Sequence, residues 1–174
     1  MRGLSSVSLR RSPACELAIW TLAGFISVGA IARVALHASQ AGVQIDDAVT
    51  TSVSAAVNQY FLAFSNKDYD ALRVSVQAPF VVFNRTGVNT LATADDVVSA
   101  YRATMERLDQ VQYGATRTDA IRVIPLTAET ALANVQWHRD RKDGTLLQEG
   151  AEVLMLIKAS GAWKISGMLS QDRR

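Results

Sequence analysis

The chain holds 174 residues, 49% of them hydrophobic and 20% charged, with a formal net charge of +2. That length and balance suit one soluble domain with a proper core plus some further sequence, and exclude a disordered chain. The basic excess sits in the first 41 residues, where Arg2, Arg10, Arg11 and Arg33 meet only Glu16; 14 basic and 15 acidic residues remain beyond them, so nucleic-acid binding loses its electrostatic basis.

In chain order, the arginines at the start precede an apolar run from Leu17 to Ala32, and Ala35, Ala38 and Ser39-Gln40-Ala41 follow. A basic start, an apolar middle and small residues at cleavage spacing read as a secretory signal peptide over 1–41, cut after Ala41. Glu16 and Arg33 flank the run, which leaves an uncleaved membrane anchor over residues 17–32 as the alternative. Export to a periplasmic or extracellular space is the expectation, with the membrane met only through this segment. The sole cysteine, Cys15, would leave with the leader, and His138 is the one histidine beyond it. Disulfides, thiolate metal sites, a cysteine nucleophile and a multi-histidine metal site are thereby excluded from 42–174.

From Asp46 to Phe64, apolar residues at Val49, Val53, Val57, Tyr60, Phe61 and Phe64 keep a three-four spacing, which predicts an amphipathic helix with Tyr60 on its buried face. Asn66-Lys67-Asp68 breaks it, and Asp68 caps a short second helix to about Val76, ended by Pro79. Phe80–Asn84 reads as a strand, with Gly87–Leu91 returning beside it. Thr93 and Asp96 have capping-box spacing and open a third helix whose buried face is Val97, Tyr101, Met105 and Leu108. Tyr113–Ile124 reads as a strand broken by Pro125. Three long strands follow: Ala131–Arg141, Leu146–Lys158 and Trp163–Gln171, joined at Asp143-Gly144 and Ser160-Gly161, where glycine accepts the positive φ of a tight reversal.

Strand parity then assigns faces. Ala133, Val135 and Trp137 should look toward the helices, with Leu132, Asn134, Gln136 and His138 on the other side. If Asp143-Gly144 is a two-residue turn, Val135 lies opposite Glu152 and Ala133 opposite Leu154, and Glu152 points into the core face. A turn one residue longer would reverse that parity and leave Glu152 a solvated strand residue. A carboxylate among Val135, Trp137, Leu154 and Leu156 needs a partner or a wet cavity, so Glu152 heads the pocket candidates, with Arg139 as its partner nearer the mouth. The same register puts Val153, Met155 and Ile157 on the outer face, an apolar stripe that suggests a homodimer built sheet to sheet.

The order helix, short helix, two short strands, helix, four long strands resembles the nuclear transport factor 2-like superfamily, also called SnoaL-like or ketosteroid-isomerase-like. The resemblance is carried by Gln59-Tyr60-Phe61, Asp68-Tyr69-Asp70-Ala71-Leu72, Ala131 to Trp137, and Ser160-Gly161-Ala162-Trp163-Lys164-Ile165. It implies an α+β fold in which a curved antiparallel sheet wraps around the helices into a cone-shaped barrel with a central pocket, in a protein that is often a dimer. For a ketosteroid isomerase it also implies a tyrosine donor, matched by Tyr60, and an aspartate base where this chain has Asn84. The protonated aspartate of a later strand falls on or beside Val153. An asparagine cannot take up a proton usefully at neutral pH, so that route to proton abstraction fails.

No serine-nucleophile elbow, phosphate loop or dinucleotide fingerprint occurs, and no cofactor is expected. Asn84-Arg85-Thr86 matches a glycosylation sequon, a pattern with meaning only in a eukaryotic secretory setting. Two readings remain. The first is a non-catalytic module that binds a small apolar or aromatic molecule or dimerises, its cone lined by Tyr60, Tyr101, Trp137 and Glu152, with Asn84 at the rim. The second is an isomerase, dehydratase or cyclase in which Glu152 is the general base and Tyr60 steadies an enolate-like oxygen.

Overall fold

A computed structural model describes residues 28–171 of the chain, and side chains from Asp47 onward. The chain divides into two units, Met1–Ser39 and Gln40–Arg174, and the second carries the fold described here. Most of the expected leader, including Cys15 and the start of the apolar run, lies outside the described residues. Among the described residues, no helix is long and apolar enough to cross a membrane.

Helix α1 spans Val28–Ser65 and so begins well before the Asp46 start that its acids suggest. No proline interrupts residues 28–65, and the Asp46-Asp47 pair lies inside a helix that alanines carry through. Its predicted apolar face is buried throughout: Val53 and Val57 are fully enclosed, and Val49, Tyr60, Phe61 and Phe64 are nearly so. Lys67, at φ 56°, breaks the helix. Asp68 then caps α2 (Tyr69–Ser75) by accepting from the Ala71 N–H at 2.9 Å.

Strand β1 spans Val76–Asn84, so the short helix stops at Ser75 and Pro79, expected to end it, lies inside the strand. The pairing of β1 slips between Val76 and Val81, which leaves Pro79 where no ladder hydrogen bond is required of it. Strand β2 (Gly87–Leu91) pairs back on β1. Helix α3 (Ala94–Gln110) opens on the predicted capping box, with Asp96 accepting from the Thr93 N–H and Thr93 Oγ1 accepting from the Asp96 N–H. Strands β3 (Tyr113–Pro125), β4 (Thr130–Arg141), β5 (Leu146–Ala159) and β6 (Ala162–Gln171) complete the domain.

The six strands form one curved, unclosed sheet in the order β2-β1-β6-β5-β4-β3. Its pairs are antiparallel except β1 with β6, which run parallel, a departure from the all-antiparallel expectation. Both strands start from the same end, β1 out of α2 and β6 out of the turn at Ser160-Gly161, so no hairpin reverses one against the other.

The predicted register holds: Val135 pairs with Glu152 and Ala133 with Leu154. The turn that was to produce it is different. Arg141 N–H bonds to Thr145 O, closing a loop over Lys142, Asp143 and Gly144, with Gly144 at φ 82°. This loop is one residue longer than a two-residue hairpin and would alone reverse the faces. A bulge corrects it: Asp140 pairs with Leu146 but Arg139 with Gln148, so Leu147 is the extra residue that restores parity.

Candidate functional site

The inner faces of β4 and β5 change character along their length. Ala131, Ala133, Val135, Leu154 and Leu156 are sealed in the core cluster that also holds Val53 and Val57 of α1. Toward the loop at Gly144, the space between helices and sheet opens into a cavity of about 870 Å³. Tyr60 and Phe64 of α1, Tyr101 of α3, Trp137 and Arg139 of β4, and Glu152 of β5 line it.

Five of the six pocket residues expected from the sequence therefore meet at one cavity. Asn84 does not line it. Asn84 is exposed at the end of β1, and its Oδ1 accepts from the Thr86 N–H at 2.9 Å and from Thr86 Oγ1 at 2.6 Å, closing the turn into β2. Its neighbour Arg85 lines the cavity instead. His138 lies on the outer face as parity predicts, with Nδ1 2.6 Å from Asp119 Oδ1.

On the helical side, the Tyr60 and Tyr101 hydroxyls are hydrogen-bonded at 3.1 Å. Phe61 and Phe64 pack edge-on against them, at 5.1 Å from Tyr60 and 5.9 Å from Tyr101 respectively. Burial raises both phenol pKa values, and the nearby Glu152 carboxylate raises them further. Both tyrosines thus stay protonated across the physiological range, and with one hydroxyl proton spent in their mutual bond the pair keeps one to donate.

On the sheet side, Trp137 lies over Gly150, its cross-strand partner, where a Cβ would overlap the indole ring. The Arg139 guanidinium sits 4.3 Å from the Trp137 ring and 5.6 Å from that of Phe64, and donates from Nη1 to Gln148 Oε1 at 3.0 Å. Among the described residues, Arg139 Nε and Trp137 Nε1 are buried without a hydrogen-bond partner. Burial lowers the Arg139 pKa, which the charge of Glu152 partly offsets.

Glu152 is 9% exposed, and burial raises its pKa to about 7, with Arg139 pulling the other way. The expected partnership with Arg139 is thus electrostatic, while the hydrogen bond of Arg139 goes to Gln148. Chemically, the site offers a phenol pair with one O–H left to donate, an aromatic wall, a stacked cation and a carboxyl that burial pushes up to about 7.

The sequence reading missed Gln148, Gly150 and Phe64. The parity that selected Glu152 also puts Gln148 and Gly150 on its face, so the signal for them was present. The spacing of Phe64 marks it as core, and it is both core and cavity wall.

Comparison with known proteins agrees with this geometry at the level of fold. The family model described as NTF2-like protein (DUF6841) matches residues 47–173. No curated protein sequence matches. Among solved structures, an NTF-2 like protein of unknown function from Shewanella oneidensis is 18% identical, with TM-score 0.57, covering 70% of this chain and 98% of its own. The protein Aln2 from a Streptomyces species is 13% identical, with TM-score 0.58, covering 70% and 88%. A ketosteroid isomerase-like protein from Erwinia carotovora atroseptica is 18% identical, with TM-score 0.51, covering 70% and 93%.

Proposed function

We propose that this chain, which belongs to the NTF2-like protein family, is an exported small-molecule-binding module whose ligand occupies the cavity between Tyr60, Tyr101, Trp137, Arg139 and Glu152. The observation that carries the reading is their convergence: groups from α1, α3, β4 and β5 face one open space. Aromatic walls suit a flat apolar body, and the tyrosine pair, Arg139 and Glu152 supply a few placed polar contacts. Binding without turnover is favoured because Asn84, at the position of the isomerase base, is held by Thr86 and is not among the residues that line the cavity. Export rests on the leader-like composition of residues 1–41.

The module works as a homodimer through the outer face of its sheet. Val153, Met155 and Ile157 are only partly buried there, beside Leu169 and Ile124, each 44% exposed. A second copy would cover this apolar surface. Val153→Asp should give a monomer by sedimentation, and an unchanged mass would remove the dimer.

A specific observation favours proton transfer as the second reading. Glu152 titrates at about 7 and the Tyr60 hydroxyl lines the same cavity, as an isomerase, dehydratase or cyclase would need of a general base and an oxyanion donor. The ketosteroid isomerase-like relative has the same fold at 18% identity, which is consistent with this alternative but does not assign it.

A thermal-shift screen of the full chain against steroids, polyketide-like aromatics and small organic acids tests the pocket. A stabilising compound whose effect weakens in Glu152→Gln supports it, and turnover of that compound, lost in the same variant, would move the protein to the second reading. No stabilisation by any class would leave only the dimerising role.

A further inference from the structure

We infer that the cavity is built for a carboxylate-bearing ligand with a flat apolar body, the anion seated on Arg139 and sharing a proton with Glu152. This rests on the reading of the cavity as a ligand site and adds the chemical class that it accepts.

The first support is the unused capacity of Arg139. A guanidinium has five N–H donors, and among the described residues one hydrogen bond is made, from Nη1 to Gln148 Oε1. Nε is enclosed with no partner. Buried donors left idle are costly, and those of arginine form a fork whose shape matches a carboxylate. The fork is also held in place. Trp137 stacks on one side at 4.3 Å, the Phe64 ring lies 5.6 Å away, and Gln148 ties down one end. A cation held by aromatic rings and an amide, with no anion bonded to it among the described residues, is poised for one from outside.

Glu152 does not fill that role. Among the described residues no hydrogen bond or ion pair joins Arg139 and Glu152, the guanidinium bonding to Gln148 instead, and burial outweighs Arg139 in raising the carboxyl to about 7. Among the described residues, the other ionisable groups around Glu152 are the Tyr60 and Tyr101 phenols from the helices, both neutral, with Arg85 from the β1–β2 turn and Glu149 of β5 on the cavity wall. Near neutrality, the carboxyl can therefore carry its proton and donate it to a second carboxylate, giving an acid–carboxylate pair beneath one cation. Once Glu152 ionises, two like charges compete for Arg139 and the ligand is repelled. The apolar body of the ligand would lie along Trp137, whose indole itself fills the room that Gly150 leaves.

The test is calorimetric titration of the full chain with benzoate and 2-naphthoate, each against its neutral amide, between pH 6 and pH 8. At pH 6 the acids should bind at least about tenfold tighter than the amides. Their affinity should fall as the pH rises, by roughly tenfold per pH unit once Glu152 is ionised. Arg139→Gln should erase the preference for the acid. Because that variant removes a stacked side chain and can unfold, Glu152→Gln gives an independent reading. It keeps a hydrogen-bond donor at every pH, so acids should still bind and the fall with pH should vanish. Amides binding as well as the acids, or a preference that survives Arg139→Gln, would overturn the inference and leave the pocket standing. A pH dependence unchanged in Glu152→Gln would overturn the shared proton. If neither acids nor amides bind, the anion site falls, and the pocket then stands or falls on the thermal-shift screen alone.

Discussion

Leu154 and Glu152 point the same way from the same strand, about 7 Å apart, yet one belongs to a sealed core and the other to an open cavity. The first is fully enclosed and the second is 9% exposed, so burial alone barely separates them. What separates them is the cavity, which Glu152 lines and Leu154 does not. On α1 the same division holds: Val53 and Val57 are fully enclosed and line no part of the cavity, whereas Tyr60 and Phe64 border it. Half of each inner strand face therefore stabilises the fold, and the other half carries groups that stability alone would not select. Substitutions at the two ends should differ in sign as well as in size.

The largest expected effect is at the closed end. Leu154→Ala removes a fully enclosed side chain from a core whose neighbours cannot collapse far, and should cost about 2–5 kcal/mol at every pH. Urea unfolding measures it directly. A loss under about 1 kcal/mol would mean that this end is as loosely filled as the other, and the contrast would break.

At the open end the sign reverses. The folded-state pKa of Glu152 is raised from 4.5 to about 7, so between those values the folded chain holds a proton that the unfolded chain has released. Stability from this group is fully present below about pH 4.5, declines as the pH rises, and is gone above about pH 7, a change on the order of 3 kcal/mol. Glu152→Gln should flatten that decline and make the protein more stable than the parent at pH 8. Parallel pH–stability curves for parent and variant would show that Glu152 does not carry the raised pKa.

How much of this contrast was legible in the sequence follows from where the information lies. The helical spacing of Val49, Val53, Val57, Tyr60 and Phe64 foretold the buried face of α1, and the Thr93–Asp96 capping box foretold where α3 begins. Both depend on neighbours within a turn or two. Parity along β4 and β5 placed Glu152 inward, but on the premise of a two-residue turn; the loop is longer and Leu147 bulges to compensate. Nothing local to Asp143-Gly144 announces that bulge, because it depends on the pairing of Arg139 with Gln148 across the strands. Asn84 failed for the opposite reason. The family resemblance led to its backbone position, but its side chain is drawn into an Asx turn by Thr86, two residues on. The parallel pairing of β1 with β6 joins strands from opposite ends of the domain's sequence, and no pattern within either strand reports direction.

The smallest effect should come from Gly150→Ala, and it is the sharpest test of the contrast. A Cβ at this position would overlap the Trp137 indole, so one of the two must move. In a sealed core, an added methyl group costs about 1–3 kcal/mol because nothing can give way. Here the ring borders the cavity, and a turn of χ1 or χ2 can carry the indole into that space. The loss on urea unfolding should therefore lie at or below the low end of that range, about 1 kcal/mol. Binding should suffer far more, since the displaced indole would occupy the volume that the ligand needs and withdraw the surface on which Arg139 stacks. A core-sized loss of stability with binding intact would mean that Trp137 is fixed as firmly as Leu154, and that the open end is packed like the closed one.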